Sequence, residues 1–402
     1  MPFPLLSHPY RRTYSENLFS SRAFYRRGET LAVAIDRTRK AIAVLLLLGA
    51  ARVLAVESAF ESTAATARHR RAMDRSRELL RSALELYPGT TVAVGFEDEI
   101  IWSAGFGFSD VRREIPVSAA TQFRIARISE SLTSVAAARL AEQGRLDLDA
   151  AVQQYVPAYP DKGFLITPRM LAAHLGGLPA TRPDDGAAQR RCTGVEDALR
   201  TIRDRPLSRA PGTKFLQSSD GYVLLSAVVA AAAGRDFTDT IQEQVLRPAG
   251  MTSTMLEDPR GPLSRRSRFY QRGWFGILSE APPVSHLCKW GASGFVSTAE
   301  DLVRFGLSLL SGEIVRRETL STLFAPQRTR MGESTGVGLG WEVAVDSRGR
   351  LRLMQSGRTL GGRSAIVLVP EARLAVVLLA NIEGEHLDDH SNRIASFFLD
   401  GE

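Results

Sequence analysis

The apolar positions of the chain change their period from one end to the other. At 91–96 and 100–107 short apolar segments, rich in β-branched and aromatic residues, flank a polar break at Glu97-Asp98. That pattern predicts two strands and a tight turn. Four more strands are predicted near the other end, at 341–345, 351–354, 364–369 and 374–380, with a turn at 346–349. Between these groups the spacing lies near 3.6, the signature of helices. Helices are predicted at 76–86, from 123–134 on to Glu142, at 300–310 and at 386–399. The run Val223, Leu224, Leu225, Ala227, Val228, Val229 is nearly continuous and predicts a buried helix. The whole reads as an α+β fold. One antiparallel sheet is formed by both chain ends, helices flank it, and a helical insert spans about 165–330.

The stretch 123–134 is the one the rest is built around. Ala136, Ala137, Leu140 and Ala141 carry its helix forward, Ser129 or Ser131 suits the cap, and Gly144 ends it. Arg127 and Glu130 stand one turn apart on a shared face, as opposite charges that can pair.

Residues 1–40 carry Arg11, Arg12, Arg22, Arg26, Arg27, Arg37, Arg39 and Lys40 against Glu16, Glu29 and Asp36. They read as a targeting segment or as the flank of a signal anchor. The strongly apolar run is 41–56, interrupted by Arg52. A full membrane span needs about 20 apolar residues. A short anchor with Arg52 snorkelling and a signal-peptide core both fit. Residues 57–72 read as a polar helical linker, and the globular domain is expected over 73–402.

A hydrophobic fraction of 44% and a charged fraction of 24% suit a globular domain. The net charge of +7 comes almost wholly from arginine and favours anionic surfaces weakly. No zinc finger, RNA-binding aromatic pattern or basic-zipper helix is present, so no nucleic-acid partner is expected. Cys192 and Cys288 lack metal spacing and read as two reduced thiols. His386 and His390 have the i, i+4 spacing of metal ligands, but they open a helix whose acidic residues suit its dipole. No metal and no cofactor are expected.

The stretch 123–134 resembles the opening of the central helix in the serine β-lactamase and penicillin-binding protein family. The resemblance continues in order from about 75 to 400. It runs through Gly144-Arg145-Leu146-Asp147-Leu148-Asp149, Tyr155-Val156-Pro157 and Ile166-Thr167-Pro168 to Leu178. It resumes at Pro211-Gly212-Thr213-Lys214-Phe215-Leu216, Gly221-Tyr222, Arg268-Phe269-Tyr270 and Lys289-Trp290-Gly291 to Thr298. Several of these segments look closest to the family's animal mitochondrial branch.

The resemblance implies a serine hydrolase frame. Its nucleophile lies in Ser-x-x-Lys, a tyrosine motif carries protons, and a His/Lys-Thr/Ser-Gly strand lines the cleft. Here those positions hold Arg127, Glu130, Gln217 and Gln355. Arginine has no hydroxyl and stays protonated, and glutamine hydrogen-bonds without titrating. Sliding the first motif does not restore it. The residues three before Lys40, Lys162, Lys214 and Lys289 are Arg37, Tyr159, Pro211 and His286. No Gly-x-Ser-x-Gly elbow occurs.

The expectation is therefore a pseudoenzyme that works by binding or self-assembly. The alternative is a hydrolase of peptides, esters or amides with a relocated nucleophile. Ligand-binding candidates are Arg127, Ser218, Ser356 and Gly357, with a peptide-like ligand. Arg127 with Arg358 or Arg363 would suit a carboxylate. His174 reads as a packing residue. The animal branch implies a homo-oligomer or filament and a mitochondrial location, in the intermembrane space or at the inner membrane. A membrane-anchored or exported bacterial protein is the alternative.

Overall fold

The structure is a computed structural model that describes residues 57–400 except Ala64, 181–191, 259–264 and 384–386. The expectations for 1–40, 41–56 and His386 lie outside the described residues. The long strands of the main sheet are β1 (Glu57–Glu61), β2 (Gly89–Phe96), β3 (Glu99–Asp110), β4 (Glu342–Val345), β5 (Leu351–Thr359), β6 (Gly362–Val369) and β7 (Leu374–Ala380), and the two-residue strand Ile115–Pro116 pairs with β3 beside them. The helices used below are α1 (Ala67–Ser82), α2 (Ile128–Glu142), α3 (Ser219–Ala233), α4 (Ala299–Ser311) and α5 (Leu387–Asp400). The seven strands form one sheet in the order β1-β3-β2-β7-β6-β5-β4. Every neighbouring pair is antiparallel. The sheet is thus made by the two ends of the chain, as the apolar pattern predicts.

The central strand β7 explains why its sequence, Leu374-Ala375-Val376-Val377-Leu378-Leu379-Ala380, does not alternate. Every residue of it is 0% exposed. Leu374, Val376 and Leu378 pack with Trp102, Met73 and Phe398 under α1 and α5. Ala375, Val377 and Leu379 pack with residues of α2, α3 and α4 on the other face. A strand covered on both faces needs apolar residues at both parities.

Residues 57–72 depart from the expected linker. Glu57–Glu61 is an edge strand on β3, with Ala59 opposite Ala104. Thr66 caps α1, which starts at Ala67, ahead of the expected boundary at 73. The reason is local. An edge strand can be held by its backbone ladder with polar side chains outward, so it leaves no apolar pattern. Arg77 ties this strand back to α1 at 3.1 Å from Glu57.

Cys192 and Cys288 form a disulfide, which corrects the expectation of two thiols. The fold brings Cα atoms 96 residues apart in sequence to 5.0 Å. No helix among the described residues is long and apolar enough to cross a membrane. None of the described His, Cys, Asp and Glu residues gathers in threes suited to a metal ion.

Candidate functional site

Helix α2 is buried on almost every side, so its first turn sits inside the protein rather than at the surface. Arg127 occupies the cap position without a capping side chain. Neither serine caps, because both are already within the buried helix. Ser129 Oγ accepts from the Phe295 amide at 3.4 Å, and Ser131 Oγ donates to the Gly340 carbonyl at 2.7 Å. Ala126, just before the helix, is held at φ +44°. A left-handed residue other than glycine is strained, and such residues cluster at sites.

The hub of the region is Glu130, which is 0% exposed. His174 Nε2 lies 3.2 Å from its Oε2. Gln217 Nε2 donates to its Oε1 at 3.2 Å. Arg127 Nε stands 3.6 Å away, with the Arg127 side chain 29% exposed. Arg127 Nη2 also lies 3.6 Å from Glu342 Oε1 on β4. The pairing expected of Arg127 and Glu130 is present, but it is one contact among three.

His174 is not merely packing, contrary to expectation. The Ser218 amide donates to His174 Nδ1 at 3.3 Å. Nδ1 must therefore be the unprotonated nitrogen, which leaves the proton on Nε2, facing the Glu130 carboxylate. His174 sits at φ +56°, and its ring lies 5.1 Å from that of Tyr222. No spacing rule links residues 44 apart. A buried glutamate with no lysine nearby in sequence was the available signal, since it demands a donor from elsewhere.

The remaining motif position, Gln355, is 2% exposed and donates through Nε2 to Gly340 O at 3.1 Å. Ser131 and Gln355 thus converge on one carbonyl. Gly340 holds φ +77°, and a Cβ there would meet Ser134 Oγ at 2.7 Å. Gly357 packs directly under the start of α2. A Cβ on it would lie 2.4 Å from the Arg127 amide nitrogen. Three polar atoms here, Arg127 Nε, Gln217 Oε1 and Gln355 Oε1, are buried with no hydrogen-bond partner.

The candidate ligand residues separate. Arg127 and Gly357 lie at the site. Ser218 is the N-cap of α3, accepting from the Gly221 amide at 3.2 Å and donating to Pro179 O at 2.6 Å. Ser356 points the other way. Alternation along β5 sends it to Asp388 of α5 at 3.3 Å. Arg363, paired across the ladder with Arg358, donates to the same Asp388 at 2.8 Å. Directly paired residues share a face, so neither Arg358 nor Arg363 joins Arg127 to hold a carboxylate.

The hydroxyls near the motif positions are committed. Besides Ser131 and Ser218, Ser364 donates to Ile125 O at 2.7 Å. Tyr222 donates to Ala172 O at 2.7 Å, and Ser134 lies 3.0 Å from the Tyr222 oxygen. Burial, then the charge of Glu130, push the Tyr222 phenol well above its ordinary pKa. It stays a neutral donor and is no base.

Residues 77–399 match the family described as Beta-lactamase. The mitochondrial serine β-lactamase-like protein LACTB of Bos taurus is 30% identical over 318 residues. That match covers 60% of this chain and 57% of the relative, so the chain spans little more than half of that relative's length. An octameric penicillin-binding protein homologue from Pyrococcus abyssi superposes with a TM-score of 0.69 at 20% identity, covering 81% of this chain and 77% of that one. D-amino acid amidase from Ochrobactrum anthropi SV3, complexed with L-phenylalanine, gives 0.70 at 18% identity, covering 82% of this chain and 97% of that one. At these identities the two solved structures speak for the fold.

Proposed function

The chain belongs to the β-lactamase family, and we propose that it is a member without the family's hydrolytic chemistry, working by binding or by self-assembly. The observation that carries this is the Glu130 hub. A carboxylate, Glu130, stands where the resemblance to the family's Ser-x-x-Lys motif expects the lysine, and His174, Gln217 and Arg127 all turn toward it. The site holds an internal acid with its partners rather than a nucleophile with a base. Loss of nucleophile and base together leaves only binding and oxyanion terms to act on a substrate. Arg127, part-exposed and tied to Glu130 and Glu342, stands where the resemblance expects the nucleophile and has no hydroxyl to acylate. The likeness to the animal mitochondrial proteins supports a mitochondrial location. Assembly is supported by the octameric penicillin-binding protein homologue from Pyrococcus abyssi, which shares the fold. The test is exposure of the full chain to a fluorophosphonate probe and an ester and peptide panel. This reading expects no labelling and no turnover, and electron microscopy of the same sample expects ordered oligomers.

A second reading rests on one contact. Thr359 Oγ1 lies 3.1 Å from His286 Nε2, at the end of the motif strand β5. Burial, with Arg124 and Lys289 nearby, pushes the His286 pKa well below its ordinary value. A neutral imidazole against a hydroxyl is a nucleophile-base pair in outline. Labelling that maps to Thr359 and vanishes in His286→Gln would establish this reading in place of the first.

A further inference from the structure

The least buried large apolar residue among those described is Phe275, 98% exposed. It sits at the tip of a hairpin formed by Tyr270–Arg272 and Leu278–Glu280. Ile277, 66% exposed, lies beside it. Phe275 is also held at φ +62°, a conformation an L-residue adopts at a cost of about 1 kcal/mol. The chain presents an aromatic side chain to solvent, in a strained backbone, with no burial in return.

The hairpin is firmly mounted. The Tyr270 amide donates to Asn381 O at 2.8 Å, and the Tyr270 hydroxyl accepts from the Val111 amide at 2.8 Å. Arg124 stacks over Phe269 at 4.0 Å. The tip also closes on itself. Gly273 donates to Ile277 O at 2.9 Å, Gly276 to Gly273 O at 3.1 Å, and Arg272 Nη1 to Gly276 O at 3.2 Å. The backbone groups paired in this way can leave water without being stranded.

The setting is basic. Arg265, Arg266 and Arg268 lead into the hairpin and, with Arg113, line a cleft of about 140 Å³ at its base, beside Ser118 and Thr121. The acids facing these groups include Asp110, at 3.6 Å from Arg268 and 4.0 Å from Arg113, Glu280 at 3.9 Å from Arg268, Glu257 at 3.6 Å from Arg266, and Asp258, whose charge also acts on Arg266. Glu257 is already held by Arg124 through two hydrogen bonds. Together with Arg272, the arginines outnumber the acids.

We propose that this hairpin docks on an anionic lipid bilayer, with Phe275 and Ile277 entering the interface and the arginines facing the headgroups. Apolar insertion and attraction to anionic lipid reinforce each other at such surfaces. None of the hairpin's residues is a motif position.

The test uses the full chain with a single environment-sensitive fluorophore attached through Phe275→Cys, the two native cysteines being paired. Vesicles of phosphatidylcholine with 30% phosphatidylglycerol are compared with pure phosphatidylcholine. The expected result is a blue shift and quenching by brominated acyl chains on the anionic vesicles, at least fivefold weaker on the neutral ones. Adding Ile277→Asp, or Arg265→Glu with Arg272→Glu, should reduce the anionic signal by a similar factor. A label that keeps its aqueous emission while the protein co-floats with vesicles overturns the proposal. So does failure of the chain to bind anionic vesicles at all.

Discussion

His174 Nε2 and Glu130 Oε2 face each other at 3.2 Å, with both side chains almost wholly buried. The Ser218 amide fixes which nitrogen of the ring carries the proton, so a neutral donor meets a buried carboxylate. Removing either partner leaves the other unsatisfied away from water, which costs more than the bond itself contributed. Glu130→Ala is expected to lower unfolding stability by roughly 2–3 kcal/mol. Glu130→Gln, which keeps an acceptor for His174, is expected to cost less. Urea unfolding of the two variants checks the order; equal losses would mean that the carboxylate is not the hub.

His286 supplies the pH dependence. Its folded-state pKa is depressed by burial first, then by Arg124 and Lys289, so the folded protein keeps it neutral. The unfolded chain takes up a proton as pH falls through about 6.5. Stability from this group is therefore full above that pH and declines below it, by up to about 1.4 kcal/mol per pH unit. His286→Gln should flatten the difference in urea midpoints between pH 7.5 and 5. An unchanged slope would assign the acid sensitivity to other groups.

Gly357 carries the approach of β5 to α2. An added Cβ would meet backbone, the Arg127 nitrogen at 2.4 Å, together with the Ala126 Cβ at 2.6 Å. Neither can swing away as a flexible side chain would. Gly357→Ala is expected to destabilise by about 2–3 kcal/mol. A melting temperature within a degree of the parent would show that the helix start yields.

The disulfide closes a long stretch of chain, since its cysteines lie 96 residues apart. Its removal by Cys192→Ser with Cys288→Ser should cost about 2–4 kcal/mol. Thiol titration of the denatured parent should find no free thiol before reduction and two after it.

The fold was largely legible because strand and helix periods survive in long buried elements such as β7 and α3. Polar edge strand β1 left no such trace, because a ladder held by backbone groups makes no demand on side-chain type. At the site, the pairing of Arg127 with Glu130 could be read from the chain. Ser356 could have been set aside from sequence as well. If Gln355 and Gly357 face α2, the residue between them must face α5. His174 and the disulfide were out of reach, since each depends on contacts between segments far apart in sequence.

The central claim is that the frame is a serine-hydrolase frame whose chemistry has been replaced at four positions. The most direct measurement compares the natural full chain with one carrying Arg127→Ser, Glu130→Lys, Gln217→Tyr and Gln355→His, both exposed to a fluorophosphonate probe. The account predicts no labelling of the natural chain and labelling of the substituted chain at position 127. Labelling of the natural chain to the same extent would contradict it, and the modified residue would identify the working nucleophile.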